Sequence, residues 1–189
     1  LTHAAVVYEQ LPEFAPTIHE AGTPTGPAVD FTAGPNPQWI WGSDNDRAYV
    51  LRTTFSGPAT AARLRFSTDN SGDAYLNGVK VGGGDDWNQA VEVDVTKHLK
   101  DGENELRLEV RNAGGVAAAV AKLVLTRPDG KLDYVVTGAD WTAAETREGS
   151  AVKVSLRGKH GDGPWGAVLH ASESSSRGLF EVPAGFRVE

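Results

Sequence analysis

From Trp39 onward, apolar and polar residues alternate through most of the chain. The alternation runs through Tyr49, Leu51, Thr53 and Phe55; Leu64 and Phe66; Val91, Val93 and Val95; Leu106, Leu108 and Val110; Leu123 and Leu125; and Val152, Val154 and Leu156. A period of two sends successive side chains to opposite faces, so each run predicts a half-buried β-strand. Asn77-Gly78, between "DAYL" and "VKV", predicts a two-residue hairpin, because a type I′ turn needs positive φ at both central positions. Asp101-Gly102 supplies a second turn, with about one helical turn before it. The glycines at 82–84 predict a mobile loop leaving the hairpin. "GGVAAAVA" at 114–121 is rich in Ala, yet it runs into the alternating "KLVLTRPDG" and predicts a strand entry. No segment sustains a period of 3.6. Short strands with frequent turns predict an all-β jelly-roll β-sandwich, its loops gathered at two ends.

The stretch Thr17 to Pro37 differs: it carries Pro24, Pro27, Pro35 and Pro37 and little periodicity. The expected organisation is an extended N-terminal arm or linker over 1–38, the jelly roll over 39–179, and a linker or the start of a following domain over 180–189. The chain has 189 residues, no Met and Leu at position 1, so the expectation is a piece of a larger protein with further domains covalently attached. Eighteen basic against 25 acidic residues leave a formal charge of −7, with no basic cluster in the sequence. Nucleic acid and anionic membranes are therefore not expected partners. The absence of Cys excludes disulfides, thiolate nucleophiles and Cys-ligated zinc. No apolar run approaches the roughly 20 residues of a membrane-spanning helix.

Candidate chemistry sits in the loops. Asp44 and Asp46, Asp69 and Asp73, and Asp85 and Asp86 read as turn formers or as oxygen donors to calcium, which takes six to eight of them from carboxylates, amides and backbone carbonyls. A pair acting on a glycosidic bond needs carboxyls about 5 to 10 Å apart, which sequence spacing does not establish. The glycines at 82–84 lack the Lys-Ser/Thr of a phosphate loop. His3, His19, His98, His160 and His170 show no metal spacing. Of the tryptophans, Trp39 and Trp41 read as packing, whereas Trp87 follows "GGGDD" and reads equally as a loop anchor or a platform for a sugar ring.

The order "WIWG…YVLRTTF…LRFSTDNSGDAYLNGVKVG…W…VDVTKHLKDGENELRLEVRN" resembles the galactose-binding-like jelly-roll modules attached to bacterial glycoside hydrolases, notably the rhamnose-binding modules of α-L-rhamnosidases. The resemblance implies that Asp69 and Asn70, at a strand end, contact both a calcium ion and sugar hydroxyls, and that Asn112 contributes as well. This chain departs from those modules at "SGD" after Asn70. "WIWG.DND", "VRNAGG.A", "GKHGDGPWG" and the closing "FEVPAGFRVE" are similar to accessory domains preceding the β-propeller and haem-binding region of large secreted proteins in planctomycetes. This second resemblance implies an extracellular or periplasmic location.

Together these point to a non-catalytic carbohydrate-binding module. Asp69, Asn70 and Asn112 would hold calcium and sugar, Trp87 would lie beside the sugar, and Asp44 and Asn45 would be additional ligands. The rival is a structural or interaction jelly roll in which Asp69 and Asn70 cap a turn. An enzyme is a third reading, since no nucleophile and base stand out.

Overall fold

A computed structural model describes residues 28–170. Residues 1–27 of the arm, with His3 and His19, and residues 171–189 at the other end lie outside the described residues. Within 28–170, twelve strands pair antiparallel into two six-stranded sheets. The first contains β1 (Gln38–Trp41), β3 (Ala61–Asp69), β6 (Val91–Asp94), β8 (Ala118–Thr126), β9 (Leu132–Val136) and β12 (Ser155–Lys159). Its order is β12-β1-β8-β3-β6, with β9 also on β8. The second contains β2 (Tyr49–Ser56), β4 (Ser71–Leu76), β5 (Val79–Gly84), β7 (Glu103–Arg111), β10 (Thr142–Ala144) and β11 (Val152–Lys153), in the order β11-β10-β2-β7-β4-β5. This is the jelly-roll β-sandwich that the period of two predicts.

The inward residues of both sheets form the core. Trp41, Leu51, Leu64, Phe66, Leu76, Leu108, Leu123 and Trp141 are fully buried there. Asn77 and Gly78 have φ of 53° and 85°, the signs that the hairpin requires. A 3-10 turn spans Thr96–His98.

Two segments differ from the sequence expectation. The glycines at 82–84 are the last residues of β5 and pair with β4, not a mobile loop. A Cβ at Gly83 would stand 2.4 Å from Asp73 Oδ1, and one at Gly84 2.9 Å from Val91, so the strand passes its neighbours too closely for larger residues. In β8 the first eight residues are all buried instead of every second one. Ala119, Ala121, Leu123 and Leu125 face the main core, while Ala118 and Val120 pack outward beneath Trp39, Trp165, Val168 and Leu169. Residues 28–37 cover the rest of that outer face: Phe31 is buried, and Lys122 Nζ donates to the carbonyls of Ala33 and Pro35 at 2.6 and 2.9 Å.

At the end of the sandwich that carries the Asn77-Gly78 turn, Asn104 is fully buried. Its Oδ1 accepts from Lys100 N and Asn77 Nδ2, both at 2.8 Å, and its Nδ2 donates to the Lys100 and Gly102 carbonyls. The Asn104→Ala variant strands these buried groups and is expected to lose about 3 kcal/mol of unfolding free energy. In urea unfolding this appears as a lower midpoint at unchanged slope.

Candidate ligand site at one end of the sandwich

At the end opposite the Asn77-Gly78 hairpin, the chain repeatedly changes sheet. Asp69 closes β3 in the first sheet and Ser71 opens β4 in the second, so Asn70 alone makes that crossing. Residues 42–48, 85–90 and 112–117 make the other crossings here, from β1 to β2, β5 to β6 and β7 to β8. The register fixes their proximity: Asp69 is opposite Ala118, Ser71 opposite Arg111 and Gly72 opposite Gly84.

Hydrogen bonds tie the segments of three of the expected residues, Asn45, Asn70 and Asn112, together. Asn70 Oδ1 accepts from Ala113 N at 2.6 Å, and its backbone N donates to Arg111 O at 3.1 Å. Asn112 Nδ2 donates to Asn45 O at 3.1 Å and to Gly115 O at 3.3 Å, while its Oδ1 accepts from Gly114 N at 3.2 Å. Gly114 and Gly115 adopt φ of 136° and 80°, a tight path that residues with a Cβ rarely follow. Asn45 Oδ1 is buried and has no hydrogen-bond donor. Gly42 lets its loop lie on Tyr49, since a Cβ there would stand 2.1 Å from the ring. Tyr49 Oη in turn accepts from Asp44 N at 3.1 Å.

Asp44 and Asp69 are placed differently from these amides. The Asp44 carboxylate is about half exposed and serves its own loop, accepting from Asp46 N at 3.0 Å and pairing with Arg47 at 3.4 Å. Asp69 is 7% exposed, and its Oδ2 accepts from Trp165 Nε1 at 2.8 Å. That contact spans 96 positions and was not foreseen from the sequence; the only local signal was Trp165 within the glycine-rich "GDGPWG". Trp87 is half-buried against the cluster of Trp39 and Trp165, and its carbonyl accepts from Ser67 Oγ at 2.7 Å. It thereby anchors residues 85–90 beside the strand that ends at Asp69.

The donors at this end are oxygens: one buried carboxylate, the side-chain carbonyls of Asn45, Asn70 and Asn112, and the neighbouring backbone carbonyls. Among the described residues no group of three or more His, Cys, Asp or Glu is placed to hold a metal; oxygen donors of this kind are those that hard cations take, whereas transition metals favour imidazole and thiolate. The unpartnered Asn45 Oδ1 is an acceptor that such a cation would satisfy. A shallow groove lined by Asn36, Gln38, Thr137, Asp140 and Lys159 shares none of these residues.

Comparison with known proteins adds to this geometry. An α-L-rhamnosidase of Streptomyces avermitilis is 28% identical over a match covering 77% of this chain. The crystal structure of S. avermitilis α-L-rhamnosidase complexed with L-rhamnose superposes with a TM-score of 0.64 at 24% identity, over 72% of this chain and 16% of that one. The chain resembles the galactose-binding-like modules of α-L-rhamnosidases. It spans 17% of the curated rhamnosidase's length. A lectin from Pleurotus ostreatus, solved in complex with GalNAc, has the same fold, with a TM-score of 0.63 and 27% identity over 70% of this chain and 45% of the lectin. No family model matches.

The segment that carries Trp165 also carries a buried histidine. His160 is 3% exposed, and its Nε2 accepts from Leu169 N at 2.9 Å, which requires the neutral ring. Burial, then the neighbouring His170 and Lys122, push its pKa down to about 4. The unfolded chain takes up this proton at about pH 6.5, so stability present above that pH is lost as pH falls from 6.5 to 4. The loss is about 3 kcal/mol. Denaturant unfolding at pH 7 and pH 4.5 should show this dependence, and His160→Gln should flatten it. Asp69→Ala, which leaves Trp165 Nε1 buried without an acceptor, is expected to lose about 2 kcal/mol at pH 7.

Proposed function

We propose that this domain is a non-catalytic carbohydrate-binding module of a larger secreted protein, and that it takes a sugar at the loop end where Asn45, Asn70 and Asn112 meet. The observation that carries the reading is that the segments of Asn45, Asn70 and Asn112 are hydrogen-bonded together next in sequence to buried Asp69, in a fold shared with a lectin at 27% identity. Vicinal hydroxyls of a pyranose are paired donors and acceptors, and side-chain amides offer both in return. Calcium, when bound, would supply positive charge and coordination positions for those hydroxyls. Asp69, Asn70 and Asn112 would hold it, joined by Asn45 through its unpartnered oxygen. Trp87 gives the site an apolar flank, and Asp44 lies at its outer edge. An extracellular or periplasmic location belongs to the same proposal.

A specific observation also favours the rival structural role. Asn70 and Asn112 already bridge loops within the chain, as they would if they only knitted this end together. Isothermal titration with L-rhamnose, D-galactose and GalNAc, in calcium and after chelation, separates the two. The expected result is binding to at least one sugar in calcium. Chelation, Asn70→Ala and Asn112→Ala should each weaken it about tenfold or more, equivalent to about 1.4 kcal/mol. Melting that responds to chelator without any sugar binding would leave the structural role standing.

A further inference from the structure

The outward face of the second sheet carries a row of cations with no part in the loop-end site. Directly opposed residues on neighbouring strands share a face. The register sets Lys153, Thr142, Arg52, Arg107, Tyr75 and Lys80 opposite one another in turn from β11 to β5. Leu51, Leu108, Ala74 and Ala143 occupy adjacent positions on these strands and face the core, so the row faces outward. At a strand spacing of about 4.8 Å the row is about 24 Å long. The Arg107 and Arg147 guanidiniums lie over the Tyr75 ring, 4.5 and 5.4 Å from its centre. Arg111, four residues beyond Arg107 on β7, extends the same face toward the loop end.

Carboxylates on this face offset the row only in part. Lys80 pairs with Asp73 at 2.8 Å, Arg52 with Glu105 at 4.0 Å, Arg107 with Glu105 and Glu109 at 3.3 and 3.1 Å, and Arg147 with Glu109 at 2.6 Å. The Arg147 hydrogen bond holds the Glu109 carboxyl below its usual range, so that carboxylate is already spoken for. With Glu103 included, the strands of this face present five cations (Arg52, Lys80, Arg107, Arg111, Lys153) and four carboxylates, and the adjoining 145–151 loop adds Arg147 together with Glu145 and Glu148, in a chain whose formal charge is −7. Arg111 and Lys153 are exposed, and neither makes an ion pair within 28–170. A Debye length of about 8 Å in physiological salt screens the acidic remainder of the molecule from a ligand lying on this face.

We propose that this face binds a polyuronate chain laid across the strands along the cation row. Guanidinium forks match carboxylates in geometry and charge. A polyuronate also presents one carboxylate per sugar along an extended chain. The choice of an acidic glycan over an acidic peptide rests on the carbohydrate-binding reading above; the cation row itself does not. The test is affinity electrophoresis and titration with polygalacturonate, its fully methyl-esterified form and polyglutamate. Binding is expected to the free-acid glycan alone, to weaken as salt rises, and to fall at least about tenfold in the Lys80→Glu/Lys153→Glu double variant, which changes the two ends of the row and leaves the loop end intact, and whose fold is checked by circular dichroism. No binding, equal binding of the methyl ester, equal binding of polyglutamate, or full binding by the double variant would each overturn the proposal. Neutral-sugar binding without polygalacturonate binding sinks this inference alone. The reverse result sinks only the loop-end reading.

Discussion

A strand buried on both faces has to be covered twice, and in this domain that strand is β8. The inter-sheet core covers one face. Residues 28–37 and 160–170 cover the other, and side chains of the first sheet hold them down. Arg65 lies over the Phe31 ring at 4.5 Å and donates to Leu169 O at 2.7 Å, gripping both covering segments. Glu92 in turn binds Arg63 and Arg65. Lys122, fully buried, has its pKa lowered chiefly by desolvation, the Ala33 and Pro35 carbonyls accept two of its hydrogen bonds, and its ammonium lies 5.2 Å from the centre of the Tyr134 ring. These are charged residues used as clamps, acceptable in a buried layer because each has found partners.

That second layer reaches the loop end through Trp165. By bonding Asp69, it draws the last residue of β3 toward the outer face of the first sheet just before Asn70 crosses to the second. Such a short crossing leaves little slack, so the position of Asn70 follows from the packing on either side of it. Asn112 and Asn45 are held from the second sheet and from the β1–β2 loop. The candidate site is thus a meeting of segments, with the Asn70 and Asn112 amides ordered by hydrogen bonds before any ligand arrives, which reduces the ordering entropy that binding must overcome.

Charge is divided between two surfaces. The loop end gathers neutral amides around a single buried carboxylate, an arrangement suited to uncharged hydroxyls or one hard cation. The outward face of the second sheet gathers guanidiniums, ammoniums and carboxylates into a ladder of ion pairs. Neither surface is visible in the net charge of −7, which averages over both.

Period-two alternation was sufficient to determine the class of fold and most of the strands, because a half-buried strand must alternate whatever its partners are. The Asn77-Gly78 turn was equally legible, its geometry being set by two residues. Asn70 and Asn112 could be singled out from the order of motifs around them. The tertiary structure alone decided that the glycines at 82–84 form a strand, that β8 is covered twice, that Asp69 faces Trp165, and that Lys153 through Lys80 align in one row. Each of these depends on a contact between residues distant in the chain, and local periodicity carries no information about which strand lies opposite which.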